Sequence, residues 1–286
     1  MNPNTPIQQI SALAVSEGAG VTVHRTIGTP ALQNLDPFMM LDHFSSDDPN
    51  QYIAGFPDHP HRGFSTFTYM IDGNMEHRDS MGNTGRLGPG SAQLMKAASG
   101  VIHSEMPKQE NGLMRGFQLW INLPAANKMD TPDYQEFEPD AFPVVDTGEY
   151  RARLLIGELS GTQAPIVDAI TQLTYFDVEV RANQHFDYTF LTGQNSFVFV
   201  FEGEGHLNDL PTTLNSLTAL DTSVNHIDFV AGDSGARLIV ASGRPINEPI
   251  VKYGPFVMNT EAEIRQAIRD YQAGNLVRDR AKMSNS

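Results

Sequence analysis

Residues 59–74 read HPHRGFSTFTYMIDGN. The middle of the stretch, Phe64 to Ile71, is rich in aromatic and β-branched side chains, and Asp72-Gly73-Asn74 follows it as a turn. An apolar run of that length, closed by turn residues, reads as a buried strand rather than a helix. Three other runs have the same form: Phe117 to Leu123 (FQLWINL, stopped by Pro124), Phe197 to Phe201 (FVFVF, followed by EGEG) and Arg237 to Ala241 (RLIVA). Short strands separated by Gly, Pro, Asn and Asp predict an antiparallel barrel or sandwich.

The two halves of the chain resemble each other. FTYMIDGN (67–74) matches FVFVFEGEG (197–205), and each is followed by a Gly-rich turn and a further apolar run, RLGPGSAQLM (86–95) and FVAGDSGARLIV (229–240). The expectation is a duplicated β-barrel. Pro124 to Gly148, with prolines at 124, 132, 139 and 143, is the candidate linker. The expected domains are residues 1–135 and 136–286. One helix is predicted over 260–273. Thr260 and Glu263 form a capping box, Ile264, Ala267, Ile268 and Tyr271 form a packing stripe, and Gly274 stands at the C-terminal cap.

Composition narrows the chemistry. The 286 residues include no cysteine, which excludes disulfides, thiolate metal sites, iron–sulfur clusters and Cys nucleophiles. Any metal must be held by the nine histidines and the carboxylates. A net charge of −15 argues against direct nucleic-acid binding and against anionic membranes. The start, MNPNTPIQQI, has neither a basic nor an apolar leader region, and no apolar run is long enough to span a membrane, so a cytoplasmic location is expected.

Two short pieces carry candidate chemistry: His59-Pro60-His61 and His103-Ser104-Glu105. Residues i and i+2 of an extended chain share a face. Each pair therefore presents both side chains to one side. Two strands bringing those faces together would offer three imidazoles and one carboxylate to a divalent transition metal, with open positions left over. His24, His43, His77, His185, His206 and His226 lack a second histidine at i+2 and are expected in surface or capping roles. Trp120 is expected in the core, and Glu136, Glu138 and Asp140 in a solvated turn.

HPHRGF, the Gly88-Pro89-Gly90 turn, SGVIHSEMP, FQLWINLP and the tail EPIVKYGPFVMNTEAEIRQAIRDYQAG occur in the order seen in the pirin family of the cupin superfamily, and the chain resembles that family from about Asp36 to Gly274. The resemblance implies an all-β fold of two tandem cupin (jelly-roll) β-barrels with a C-terminal helix. It implies one iron-type metal in the N-terminal cupin, held by His59, His61, His103 and Glu105. The second cupin would be metal-free: the offsets of His59 and His61 from Gly73, applied to Gly203, give Thr189 and Leu191. One departure stands out. Pirin sequences commonly read HRGFE, and this chain has Ser65 at the acidic position.

Some pirin-family members are implied to be quercetin 2,3-dioxygenases, which open a flavonol ring with O2 and release carbon monoxide. The first functional expectation is therefore a metal-dependent dioxygenase acting on a polyphenolic substrate. Glu105 would also take the substrate hydroxyl proton. The metal would be iron(II), with manganese, nickel, cobalt or copper also suited to the ligand set. The alternative is an iron-containing regulatory module that binds a protein partner in a redox-dependent way, without catalysis.

Overall fold

The computed structural model describes residues 7–278. All four apolar runs are strands: Phe64–Asp72, Met114–Asn122, Asn195–Leu207 and His226–Gly243. The chain forms two compact units, and neither is contiguous in sequence. Among the described residues, one contains Ala14–Arg25, Phe38–Pro139 and residues 246–278; the other contains residues 7–13, Thr26–Pro37 and Asp140–Pro245.

The first unit carries two antiparallel sheets. A seven-stranded sheet runs Asp133–Phe137, Ala92–Lys96, Phe64–Asp72, Met114–Asn122, Phe38–Ser46, Val21–Arg25 and Leu13–Glu17. A four-stranded sheet runs Phe56–His61, Val101–Pro107, Met75–Asp79 and Thr84–Leu87. Met75 and Leu87 of the small sheet pack with Val23, Phe44, Met70 and Met114 of the large one. The second unit is a nine-stranded sheet system whose interior is filled by side chains such as Phe176, Phe186, Val198, Phe229 and Leu238.

Two features differ from the sequence reading. Residues 124–139 are not a linker. Asp133–Phe137 pairs with Ala92–Lys96, and the Lys128 ammonium, 1% exposed, donates to Gly63 O (2.7 Å), Asn122 Oδ1 (2.6 Å) and Val257 O (3.0 Å). The C-terminal helix, Glu261–Gln272, lies in the same unit as Phe38–Pro139 rather than with Asp140–Pro245. Its capping box forms as expected, and Ile264 and Ala267 are buried. Tyr271, however, is 41% exposed. Asp270 is buried in its place because Arg62 donates to it at 2.7 Å.

That pairing explains why HPHRGF and the distant tail go together. Arg62 is 1% exposed, and its Nε donates to Ser99 O at 2.6 Å. Arg62 O accepts from Val257 N at 3.0 Å. Gly63 has φ +92°, and a Cβ there would lie 1.9 Å from Val257 O. Gly63→Ala is therefore expected to lower stability by at least the ~1–3 kcal/mol of a forced left-handed residue. Urea unfolding measures it, and faster proteolysis within residues 246–258 should accompany it. No helix among the described residues is long and apolar enough to cross a membrane.

Candidate metal centre

The small sheet supplies the histidines. Val101–Pro107 pairs with Phe56–His61 so that His103 stands opposite His59, and the register slips by one residue before Glu105 meets Phe56. Such a bulge re-aims side chains locally. The rings converge: His59 to His103 is 4.4 Å between centroids, His59 to His61 is 4.6 Å and His61 to His103 is 4.9 Å. Candidate ligand atoms of His59, His61 and His103 lie within 4.8 Å of one another, and so do those of His77, His103 and Glu105. The two groups share His103, which makes it the hub.

The nitrogens of this cluster are in a state that suits a metal. Burial pushes the His61 and His103 pKa values well below the ordinary 6.5; neighbouring histidines push them further down, and the Pro255 backbone opposes this at His61. Both rings are thus neutral near pH 7. His61, 1% exposed, leaves both ring nitrogens without a partner of hydrogen-bonding geometry, and His103 leaves Nε2 without one. A buried imidazole nitrogen without a partner is costly unless something not made of protein satisfies it. His59 places Nδ1 2.8 Å from Pro57 O. A carbonyl only accepts, so Nδ1 carries a hydrogen, and in the neutral ring Nε2 is the nitrogen left with a lone pair.

His77 was expected at the surface and is instead fully buried. Its ring stacks on Tyr134 at 4.5 Å, its Nδ1 is 3.4 Å from His103 Nδ1 and its Nε2 is 3.5 Å from Asp79 Oδ2. Burial alone would raise the Asp79 pKa, but bonds from His77, Asn83 and the Met81 amide outweigh it and hold the carboxyl below its ordinary value. With both rings neutral, one arrangement of hydrogens fits every contact. His77 donates from Nε2 to Asp79, accepts at Nδ1 from His103 Nδ1, and so leaves His103 Nε2 bare. His43 is likewise buried, stacked on Phe117 at 4.6 Å.

The large sheet supplies the partners of Glu105. Its Oε1 accepts from Gln93 Nε2 (2.6 Å) and Thr68 Oγ1 (3.1 Å), and its Oε2 accepts from Gln118 Nε2 (2.6 Å). Tyr134 lies behind Gln93, its hydroxyl 3.0 Å from Gln93 Oε1 and donating to Glu136 at 2.7 Å. Burial first, and then Glu136, raises the Tyr134 pKa, so the phenol stays protonated. Glu136 thus sits in a strand, not in a solvated turn. The alternation of Phe64–Asp72 also becomes readable. Thr68 reaches Glu105, Phe64 lies 5.0 Å from the His61 ring, and Met70 packs with Met75. Ser65 belongs to the opposite face, so its replacement of the usual acid does not touch Glu105.

A cavity of about 590 Å³ opens beside His59 and His61. That volume falls in the usual range for small-molecule sites, roughly 300–1,000 Å³. Met40, Phe56 and Trp120 give it apolar walls. Trp120, 8% exposed, is edge-on to His61 at 5.2 Å and donates from Nε1 to Gln118 at 3.3 Å. Arg25, Asp42 and Lys252 add charge. Burial first, and then Arg25, lowers the Lys252 pKa, while Asp42 and Glu17 raise it. Sequence reasoning found none of these cavity residues, because they come from strands far apart in the chain and from the tail.

A family model for pirin matches residues 20–121, and one for the pirin C-terminal cupin domain matches residues 175–277. The chain belongs to the pirin family. A Pseudomonas aeruginosa relative, provisionally named a quercetin 2,3-dioxygenase, is 43% identical over 267 residues, 91% of this chain and 94% of that one. Human pirin is 35% identical over 272 residues, 93% of this chain and 92% of its own length. A crystal structure of quercetin 2,3-dioxygenase from Acinetobacter baumannii superimposes with a TM-score of 0.87 at 30% identity, covering 94% of this chain and 96% of that one. The pirin fold is thus the expected all-β pair of tandem cupins with a C-terminal helix. The cluster in the first unit has the donor set of a cupin-type metal site.

Proposed function

We propose that this pirin is a metal-dependent dioxygenase that opens the ring of a flavonol-like polyphenol with O2. The observation that carries the reading is the unpartnered ring nitrogens of His61 and His103, beside an aromatic-walled cavity large enough for such a molecule. The fold shared with the Acinetobacter baumannii quercetin 2,3-dioxygenase supports the substrate class.

His59, His61, His103 and Glu105 would hold one divalent ion, iron(II) first, with manganese, nickel, cobalt or copper sharing the ligand preference. The ion, when bound, acidifies a coordinated hydroxyl and holds the reactants together. The residues do the rest. His59 and His103 present Nε2, because Pro57 O and His77 fix their other nitrogens. Glu105 Oε1 is held by two donors and Oε2 by one. Oε2 therefore has room to take the substrate hydroxyl proton, with the Gln118 amide yielding. Phe56 and Trp120 cover the substrate rings and exclude water.

The test is an anaerobic spectral titration with quercetin, followed by oxygen uptake on protein loaded with each metal in turn. Absence of uptake with iron, manganese, nickel, cobalt and copper would overturn the reading. A second measurement checks the hub. His77→Leu removes the acceptor for His103 Nδ1 and is expected to weaken metal affinity about 10–100-fold, the usual cost of losing an outer hydrogen bond to a ligand histidine. His77→Gln keeps an acceptor and should retain most of the affinity in a chelator competition.

A further inference from the structure

Two cations line the cavity, Arg25 and Lys252, and they are not equivalent. Arg25 donates to both Asp42 oxygens at 2.7 Å and pairs with Glu17 at 2.7 Å. Its charge is matched twice over. Glu17 and Asp42 are turned toward it, and neither comes within ion-pair distance of Lys252. Among the described residues Lys252 has one close contact of this kind: its Nζ stands 5.0 Å from the centre of the Trp120 ring. Trp120 in turn meets His61 edge-on at 5.2 Å. An ammonium, an indole and an imidazole therefore line one wall of the cavity; Asp42 and Glu17 act on the ammonium from farther off, and no carboxylate is within ion-pair distance of it.

We propose that Lys252 and Trp120 form an anion-selective aromatic subsite. The cavity takes a planar aromatic ligand whose carboxylate or phenolate oxygen pairs with Lys252, whose ring lies along Trp120 and whose far edge points toward His59 and His61. The inference rests on the small-molecule reading of the cavity and adds to it the charge of the ligand and the end that carries it. An ammonium over an aromatic face is attracted to the ring, but a charge-assisted hydrogen bond to an oxyanion is stronger than one between neutral groups. A neutral isostere of the same ligand loses that bond and keeps the stacking.

The chain contains one tryptophan, Trp120, so quenching of its emission places a ligand on this wall. The probes are 2-naphthoate and its neutral counterpart 2-naphthamide, titrated by calorimetry into metal-free and metal-loaded protein. Naphthoate is expected to bind about tenfold tighter than naphthamide in both forms and to quench Trp120; tenfold corresponds to about 1.4 kcal/mol. Lys252→Met should remove the preference by weakening naphthoate much more than naphthamide, Lys252→Arg should retain it, and both variants should keep full metal content. Equal affinities of acid and amide for the wild type would overturn the proposal. So would an undiminished preference in Lys252→Met, or a preference present only with metal bound, which would assign the anion to the ion. The outcome separates from the dioxygenase reading. A charge preference lost in Lys252→Met, without oxygen uptake on quercetin, removes the activity and leaves the subsite. Uptake without a charge preference does the reverse.

Discussion

Replacing His61 and His103 together by alanine is expected to reduce the metal content of the purified protein to background and to abolish oxygen uptake. The affinity lost should exceed the ~100-fold upper range seen when only an outer partner of a ligand is removed. Elemental analysis reads the content, and a chelator competition reads the affinity. The metal-free protein should behave differently. Both rings are 1% exposed, and together they leave three nitrogens without partners. A buried polar atom without a partner costs ~1–3 kcal/mol. Removing two such rings relieves that cost and offsets the space they vacate. The metal-free variant should therefore unfold in urea near the wild-type midpoint. The wild type alone should gain stability on metal loading, ~2.7 kcal/mol at a metal concentration 100 times Kd. Metal content unchanged by the double substitution would sink the assignment of these ligands.

Arg62→Ala is expected to be the most destabilising single change in the first unit, at ~3–5 kcal/mol, the cost of breaking a buried ion pair from one side. Against a total of ~5–15 kcal/mol for a domain, that is a large share. Arg62 bonds to Ser99 O, Asp270 Oδ2 and Leu276 O at 2.6, 2.7 and 3.2 Å, so its planar fork joins a loop, the helix and the segment after it. Arg62→Lys should restore little, because one ammonium cannot reproduce that fork. The pH dependence has a definite sign. The bond from Arg62 is the first cause holding the Asp270 carboxyl below its ordinary 3.8. Its share of stability is therefore complete above pH 3.8 and is lost as the pH falls below that value. Urea unfolding at pH 7 and pH 3 should show this loss in the wild type, and a smaller one in Arg62→Ala, where Gln266 and Arg278 still hold Asp270.

How much of this was legible in the sequence depends on how local each signal is. The strand Phe64–Asp72 and the helix Glu261–Gln272 follow from residue types within one short window, and both form where expected. His-x-His and His-x-Glu are local too, which is why His59, His61, His103 and Glu105 could be singled out. The groups that hold them are not local. Thr68, Gln93 and Gln118 are neutral residues on three strands that meet Glu105 only through the sheet register. Nothing in their own neighbourhoods marks them. His77 has no second histidine at i+2 and so escapes a search for paired imidazoles, although Asp79 at i+2 was a visible clue to a carboxylate–histidine pair. Arg62 and Asp270 are 208 residues apart. Lys128 sits in a Pro-rich stretch whose composition reads as a linker, and only the three acceptors around its ammonium reveal that it is inside.

The tail beyond Ile246 completes the unit that begins near Ala14, and this sets an order of events during synthesis. When Pro139 leaves the ribosome, the histidine cluster has been made, but Arg62 still lacks Asp270 and Gly63 still lacks Val257. The whole of Asp140–Pro245 must be translated before those partners exist. At ~5–20 residues per second, that is a wait of roughly 5–20 s. The unit that carries the candidate metal ligands is thus begun before most of the other unit is made, and it is closed after it. Its maturation is timed by the translation of the other cupin.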